Sequence, residues 1–262
     1  MNILSTISEF KRTEVAARKE LYPIALLEKN RFFETTPVSM IRYLRRPDKS
    51  GIIAEFKRKS PSKGMINAFV SIDQVSIGYM QAGASALSVL TDKEFFGGSN
   101  EDLTRARELN YCPVLRKDFI IDPYQVIEAK SIGADAVLLI AAILDQKQMV
   151  ELAKLARSLD LETIMEVHSP EELAKRNEFI SIIGVNNRNL VDFSVSLDIS
   201  LNISKLLDTG TLSISESGIR EPDDIMMLRQ AGYQGFLVGE QFMATADPAA
   251  ACHLFISKLK AL

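Results

Sequence analysis

The chain carries a carboxylate and an amine side by side at the end of an apolar run, in Ile52-Ile53-Ala54-Glu55-Phe56-Lys57-Arg58-Lys59-Ser60-Pro61-Ser62-Lys63-Gly64. Side chains alternate between the two faces of a strand, so Glu55, Lys57 and Lys59 share one face and Phe56 and Arg58 the other. An acid beside an amine at a strand end packs poorly and suits proton transfer. Similar polar groups follow the other apolar runs: Thr91 and Asp92, Lys117 and Asp118, Glu166, Asn186 and Arg188, Glu216 and Ser217, and Gly239 and Glu240. Taken alone, any one of these reads as turn polarity, and Asp92 does so as readily as not. Glu55, Lys57 and Lys117 fit that reading badly, because they adjoin strongly apolar runs.

Elements that could bring these residues together are legible after Gly51. Short aliphatic runs alternate with helical patterns every 20–30 residues or so, as βα units require. The predicted strands are Gly51–Lys57, Ala84–Leu90, Pro113–Arg116, Asp135–Ile140, Glu162–Val167, Ile180–Val185, Thr211–Ser215 and Gly235–Val238. The predicted helices are Ile72–Gln81, Asn100–Leu109, Pro123–Ser131, Gln146–Leu159, Pro170–Arg176, Ile199–Leu207, Pro222–Gln230 and Pro248–Leu259. Glycine ends several of them, in Ala82-Gly83-Ala84, Ile132-Gly133-Ala134 and Ala231-Gly232-Tyr233, where it permits a left-handed cap. About eight such units close into a (β/α)8 barrel, whose active site lies at the C-terminal ends of its strands. A doubly wound open sheet is the alternative, but no G-x-G-x-x-G follows the first strand. Residues 1–50 read as a helical extension packed on the barrel, with helical patterns over Ser5–Glu20, after Pro23, and from Pro37-Val38-Ser39 to near Arg46. Residues 51–262 make the barrel, and the whole is one domain.

The loops after the last two strands point to an anion. They read Glu216-Ser217-Gly218-Ile219 and Val238-Gly239-Glu240-Gln241, where a barrel often builds a phosphate cup from backbone N–H groups. Gly218 and Gly239 let the backbone approach the anion, and Ser217 adds a hydroxyl. Ser60 and Lys59 complete the cup from the first loop. Glu240 is expected to contribute only its N–H, its carboxylate turned away.

Composition limits the alternatives. With 262 residues, 47% of them hydrophobic, and a formal net charge of −3, the chain can bury one large core and gives no reason to expect nucleic acid. The two cysteines, Cys112 and Cys252, and two histidines, His168 and His253, support neither a disulfide framework nor a metal site. The longest apolar run, Ala136 to Leu144, is far below the ~20 residues of a membrane helix. The N-terminus has no basic segment followed by an apolar one. A cytoplasmic protein that binds no membrane is expected.

Seven motifs then carry a specific resemblance. They are Ile53 to Ser62; Ser88-Val89-Leu90-Thr91-Asp92 with Phe96-Gly97-Gly98-Ser99; Pro113 to Ile120; Met165-Glu166-Val167-His168; Gly184 to Leu190; Ser215 to Ile219; and Val238-Gly239-Glu240. In this order, over essentially the whole chain, they resemble the indole-3-glycerol-phosphate synthase family of tryptophan biosynthesis. The resemblance implies a lyase that closes the ring of 1-(2-carboxyphenylamino)-1-deoxyribulose 5-phosphate with loss of carbon dioxide and water. It implies no cofactor and no metal, and a monomer. Lys117 matches the family's general acid in ring closure. Lys57 and Glu55 match the pair assigned to dehydration, and Glu166 a further active-site carboxylate. Asn186, Arg188 and Glu216 match positions that hold the substrate's polar groups. Phe96 and Phe119 match apolar positions around its aromatic ring, as does Leu138, for which plain barrel core is the better reading. Two rivals remain. A phosphoribosylanthranilate isomerase or tryptophan synthase α subunit shares the phosphate cup, though the isomerase is expected to pair a cysteine with an aspartate, and Cys112 stands at a strand start. A non-catalytic scaffold barrel is expected to have lost one of Glu55, Lys57, Lys117 or Glu166.

Overall fold

The computed structural model describes residues 3–189 and 192–262. Leu190, the last residue of one matched motif, lies outside the described residues, as do the first two of the chain. Eight parallel strands close into a barrel: β1 (Ile52–Phe56), β2 (Ala86–Leu90), β3 (Val114–Lys117), β4 (Ala136–Ile140), β5 (Glu162–Val167), β6 (Ile182–Asn186), β7 (Ser213–Glu216) and β8 (Gly235–Val238). Closure comes from β8 pairing with β1, Ile52 opposite Phe236. The open-sheet alternative is thereby excluded.

Alternation along the strands divides the core in two. Inward residues such as Ile53, Leu115, Leu138, Ile164, Ile214 and Leu237 fill the barrel. Outward residues such as Ile52, Val89, Val137, Met165 and Phe236 pack under the surrounding helices. Three strands run one residue further than their apolar runs suggest. Lys117, Asn186 and Glu216 are the last residues of β3, β6 and β7, so a rigid ladder holds their side chains where a loop was expected.

The N-terminal segment touches both ends of the barrel. Helix α1 (Ile3–Leu21) packs Leu4 and Ile7 onto the upper end of the inner core, and α3 (Met40–Leu44) packs Met40 and Leu44 onto the lower end. Between them lies the short α2 (Ile24–Leu27). Glu162, at the start of β5, accepts from Ser39 Oγ at 2.6 Å and Ile41 N at 2.9 Å, which pins α3 under the barrel floor. Ser39 also caps α3, accepting from Arg42 N.

The outer helices are α4 (Ile72–Ala82), α5 (Asn100–Leu109), α6 (Pro123–Ser131), α7 (Gln146–Ser158), α8 (Asp198–Ile203), α9 (Pro222–Gln230), α10 (Glu240–Met243) and α11 (Pro248–Lys260). Capping explains their starts: Ser99, Asp122, Asp145 and Asp247 each accept a backbone N–H of the first turn. Two predicted helices differ. Pro170–Lys175 is a 3₁₀ helix, its Glu172 carboxylate drawn back to His168 N at 2.7 Å. The helix predicted over Ile199–Leu207 divides into α8 and a 3₁₀ turn at Ser204, whose hydroxyl donates to Leu201 O at 3.0 Å. Such a back-bond competes with regular α-helix.

Candidate active site

At the C-terminal ends of the strands lies a cavity open to solvent. Its apolar wall comes from Ile3, Leu4 and Ile7 of α1, with Leu90, Phe96, Phe119, Leu138, Ile140 and Phe193. The Phe96 and Phe119 rings lie 5.8 Å apart, tilted by 38°. Leu138 is both barrel core and cavity floor. Glu55, Lys57, Arg188, Ser217, Leu237 and Glu240 also face a second chamber, lined by Gly218, Gly239, Gln241 and Thr245. The site is therefore bipartite, with an apolar chamber able to enclose a ring, a polar one able to take an anion, and charged groups at their junction.

Lys117 lines the first chamber, between two carboxylates. Its Nζ is 3.0 Å from Glu166 Oε2 and forms a short contact with Glu216 Oε2. Burial disfavours the ammonium, but Glu166, Glu216 and Glu55 more than offset this and hold its pKa above the usual lysine range. Burial likewise opposes ionisation of Glu166. The Lys117 charge and His168 prevail, and its carboxyl stays well below the usual range. For Glu216, burial prevails over Lys117, and the neighbouring Glu166 charge adds to it, so the carboxyl is pushed up to about 7. Across the site, Lys57 Nζ meets Glu55 Oε1 at 2.7 Å, and Ser88 Oγ lies 3.5 Å from Glu55 Oε2. Arg188 reaches Glu240 Oε2 at 3.4 Å, and its N–H donates to Asn186 Oδ1 at 3.0 Å. The acid–amine face read from sequence is thus built, and all nine predicted catalytic and substrate-contacting residues line one cavity.

The predicted anion residues divide. Ser60, Ser217, Gly218, Gly239 and Glu240 line the connected chambers. Ser217 does so with φ of 65°, a left-handed conformation uncommon for a non-glycine residue. Lys59 stands apart: the strand ends at Phe56, and its Nζ donates to Glu94 O at 2.6 Å. The Glu240 carboxylate lies 3.4 Å from Arg188 Nη2 and 3.6 Å from Lys63 Nζ. Arg58, the second of the motif's four cations, is structural, pairing with Asp102 at 2.5 and 3.0 Å and stacking over Phe56.

Two glycines hold space for these carboxylates. A Cβ at Gly184 would lie 2.5 Å from Glu216 Oε1 and 2.9 Å from Ile164 Cγ2, and one at Gly239 would lie 2.6 Å from Glu55 Oε1. Replacing Gly184 by Ala should displace Glu216 from Lys117 and lower kcat on the order of a hundred-fold, the cost of a misplaced catalytic group. Steady-state kinetics on a variant with native circular dichroism checks this, and unchanged kcat would contradict it. Gly239→Val should harm Glu55 as well as the anion chamber.

His168 buttresses Glu166, with Nε2 3.3 Å from Glu166 Oε1 and Nδ1 3.5 Å from Glu172 Oε2. Burial disfavours the imidazolium, but the Glu166 and Glu172 carboxylates beside it raise its pKa to about 10. A pKa raised on folding stabilises the fold fully below the unfolded value and progressively less as pH climbs through the folded one. His168→Gln should therefore cost most stability at pH 6, and the gap to wild type should close by about pH 10. Denaturant melts across that range test it, and a gap that widens with pH would contradict it.

The closed barrel, with charged residues shared between an apolar and a polar chamber, defines a (β/α)8-barrel enzyme with its site at the strand C-termini. Residues 4–255 match the family model described as indole-3-glycerol phosphate synthase. The chain is 46% identical over 259 residues to an indole-3-glycerol phosphate synthase of Bacteroides thetaiotaomicron, covering 99% of each. It is 42% identical to that of Laribacter hongkongensis, covering 97% of this chain and 99% of the relative. The chain belongs to the indole-3-glycerol phosphate synthase family, and it is an enzyme. Among solved structures, the tryptophan synthase α subunit of Legionella pneumophila superposes with a TM-score of 0.60 at 13% identity, over 85% of this chain and 97% of that one. The tryptophan synthase complex of Pyrococcus furiosus gives 0.59 at 13% identity, over 82% and 99%. These likenesses show the shared barrel alone.

Proposed function

We propose that this chain converts 1-(2-carboxyphenylamino)-1-deoxyribulose 5-phosphate to indole-3-glycerol phosphate, carbon dioxide and water, with Lys117 as the acid for ring closure. The aromatic carbon bearing the carboxylate attacks the ribulose carbonyl, and the carbonyl oxygen takes a proton from Lys117. The bond to the carboxylate then breaks, and its electron pair restores the ring. Lys57 protonates the departing hydroxyl, and Glu55 takes the proton whose loss completes the indole. Glu166 balances positive charge on the intermediates and, with Glu216, keeps Lys117 protonated until it reacts.

Binding follows the two chambers. Phe96 and Phe119 flank the aromatic ring, Arg188 and Asn186 hold polar groups of the substrate, and Ser60, Ser217, Gly218, Gly239 and the Glu240 N–H take the phosphate. The observation that carries this reading is the Lys117 ammonium between Glu166 and Glu216, in the same cavity as Phe96 and Phe119. The chemistry uses the chain's own acids and bases. We place it in the cytoplasm as a monomer that engages neither membrane nor nucleic acid. Among the described residues no helix is long and apolar enough to cross a membrane, and the net charge of −3 suits none of the polyanionic partners. Mixing the protein with the substrate should produce indole fluorescence with saturation kinetics. No signal from folded protein would sink the reading.

A further inference from the structure

Helix α1 carries a lysine on its apolar face. Lys11 is 1% exposed, in line with Leu4, Ile7 and Val15. Its Nζ lies 2.8 Å from Asp92 Oδ2, 3.0 Å from Asp118 Oδ1 and 2.8 Å from Glu14 Oε2. Asp118 follows β3 directly and Asp92 lies two residues beyond β2, and both organise backbone. Asp92 Oδ1 accepts the N–H groups of Phe95 at 2.7 Å and Phe96 at 3.2 Å. Asp118 Oδ1 accepts the N–H of Phe119 at 2.8 Å, and its Oδ2 accepts from Thr91 Oγ1 at 2.6 Å and the Arg116 guanidinium at 3.1 Å. One ammonium thus ties together the two carboxylates that set the backbone of both aromatic walls.

We propose that Lys11 is a positioning residue for the aromatic half of the substrate, acting through Asp92 and Asp118 on the spacing of Phe96 and Phe119; this rests on the functional reading above. The charge it meets explains why a lysine is tolerated there. Burial disfavours an ammonium, and three carboxylates within 3.0 Å offset that cost. Lys117 faces away from this cluster, toward Glu166 and Glu216, so Lys11 bears on ring placement and leaves the proton donor's partners alone.

The test separates the two halves of the site. N-methylanthranilate probes the ring chamber and inorganic phosphate the anion chamber, each by titration independent of turnover. Two variants are compared: Lys11→Met, and Lys11→Met with Asp92→Asn. The double change removes a buried carboxylate with its partner, while the amide oxygen still accepts from Phe95 and Phe96. In folded protein both should weaken N-methylanthranilate binding and raise the substrate KM on the order of ten-fold, as much as one well-placed aromatic pair contributes. Phosphate affinity should stay at the wild-type value. Arg18→Ala removes another tie between α1 and the barrel, the 2.5 Å pair with Glu128, and should bind both probes normally. Wild-type N-methylanthranilate affinity in the folded double variant would overturn the proposal. So would parallel weakening of both probes, or the same weakening in Arg18→Ala. Wild-type protein that binds the probes yet forms no indole would instead sink the functional reading.

Discussion

Replacing Lys117 by Ala should abolish ring closure while leaving the substrate bound. In the proposed mechanism the buried ammonium donates to the carbonyl oxygen, and its removal leaves Glu216 without its cationic partner. General acid catalysis is typically worth about 10²–10⁴-fold, and kcat should fall by at least that much. The substrate dissociation constant should change far less, because the ring and phosphate contacts proposed above lie on other residues. Rapid-quench assays should show neither carbon dioxide nor indole within a wild-type turnover. Near-normal release of either would remove Lys117 from the mechanism.

The second large effect separates the two halves of the reaction. Glu55→Gln keeps the shape beside Lys57 and removes the base, so closure and decarboxylation should proceed and dehydration should stall. The expected result is a burst of carbon dioxide near one per site, followed by indole formation slowed about 10²–10⁴-fold. Loss of the burst would move Glu55 to the first step. Simultaneous carbon dioxide and indole at the wild-type rate would remove it from the chemistry.

Much of this arrangement was legible in sequence because barrel strands advertise themselves. Apolar runs of four to six residues ending in a charged group mark the strand C-termini, and Glu55, Lys57, Lys117, Glu166 and Glu216 all followed from that pattern. What the pattern cannot reveal is pairing across strands. The motif at residues 55–63 offers four cations, and nothing local says that Arg58 belongs to Asp102 or that Lys59 reaches the Glu94 carbonyl. The same holds for Gly184, read as one glycine in a strand. Its purpose appears only when β6 is set between β5 and β7 and the Glu216 carboxylate crosses the missing side chain.

Lys11 was missed for a different reason. A lysine in an amphipathic helix ordinarily points to water or snorkels, and its partners are 81 and 107 positions away. Yet a signal was present: Leu4, Ile7, Lys11 and Val15 recur at spacings of three and four, which places the lysine within the buried stripe. Asp92 and Asp118, read as mouth polarity, are its counterparts. Both are buried, and both hold backbone N–H groups of the segments that carry Phe96 and Phe119.

The central claim is that one substrate spans both chambers with its reacting carbon beside Lys117. A crystal structure with a non-reacting analogue, the substrate's carbonyl reduced to an alcohol, tests this most directly. The ring should lie between Phe96 and Phe119, the phosphorus beside Gly218 and Gly239, and the alcohol oxygen within hydrogen-bond reach of Lys117 Nζ. An analogue bound with its phosphate among the aromatic residues, or with that oxygen remote from Lys117, would contradict the account.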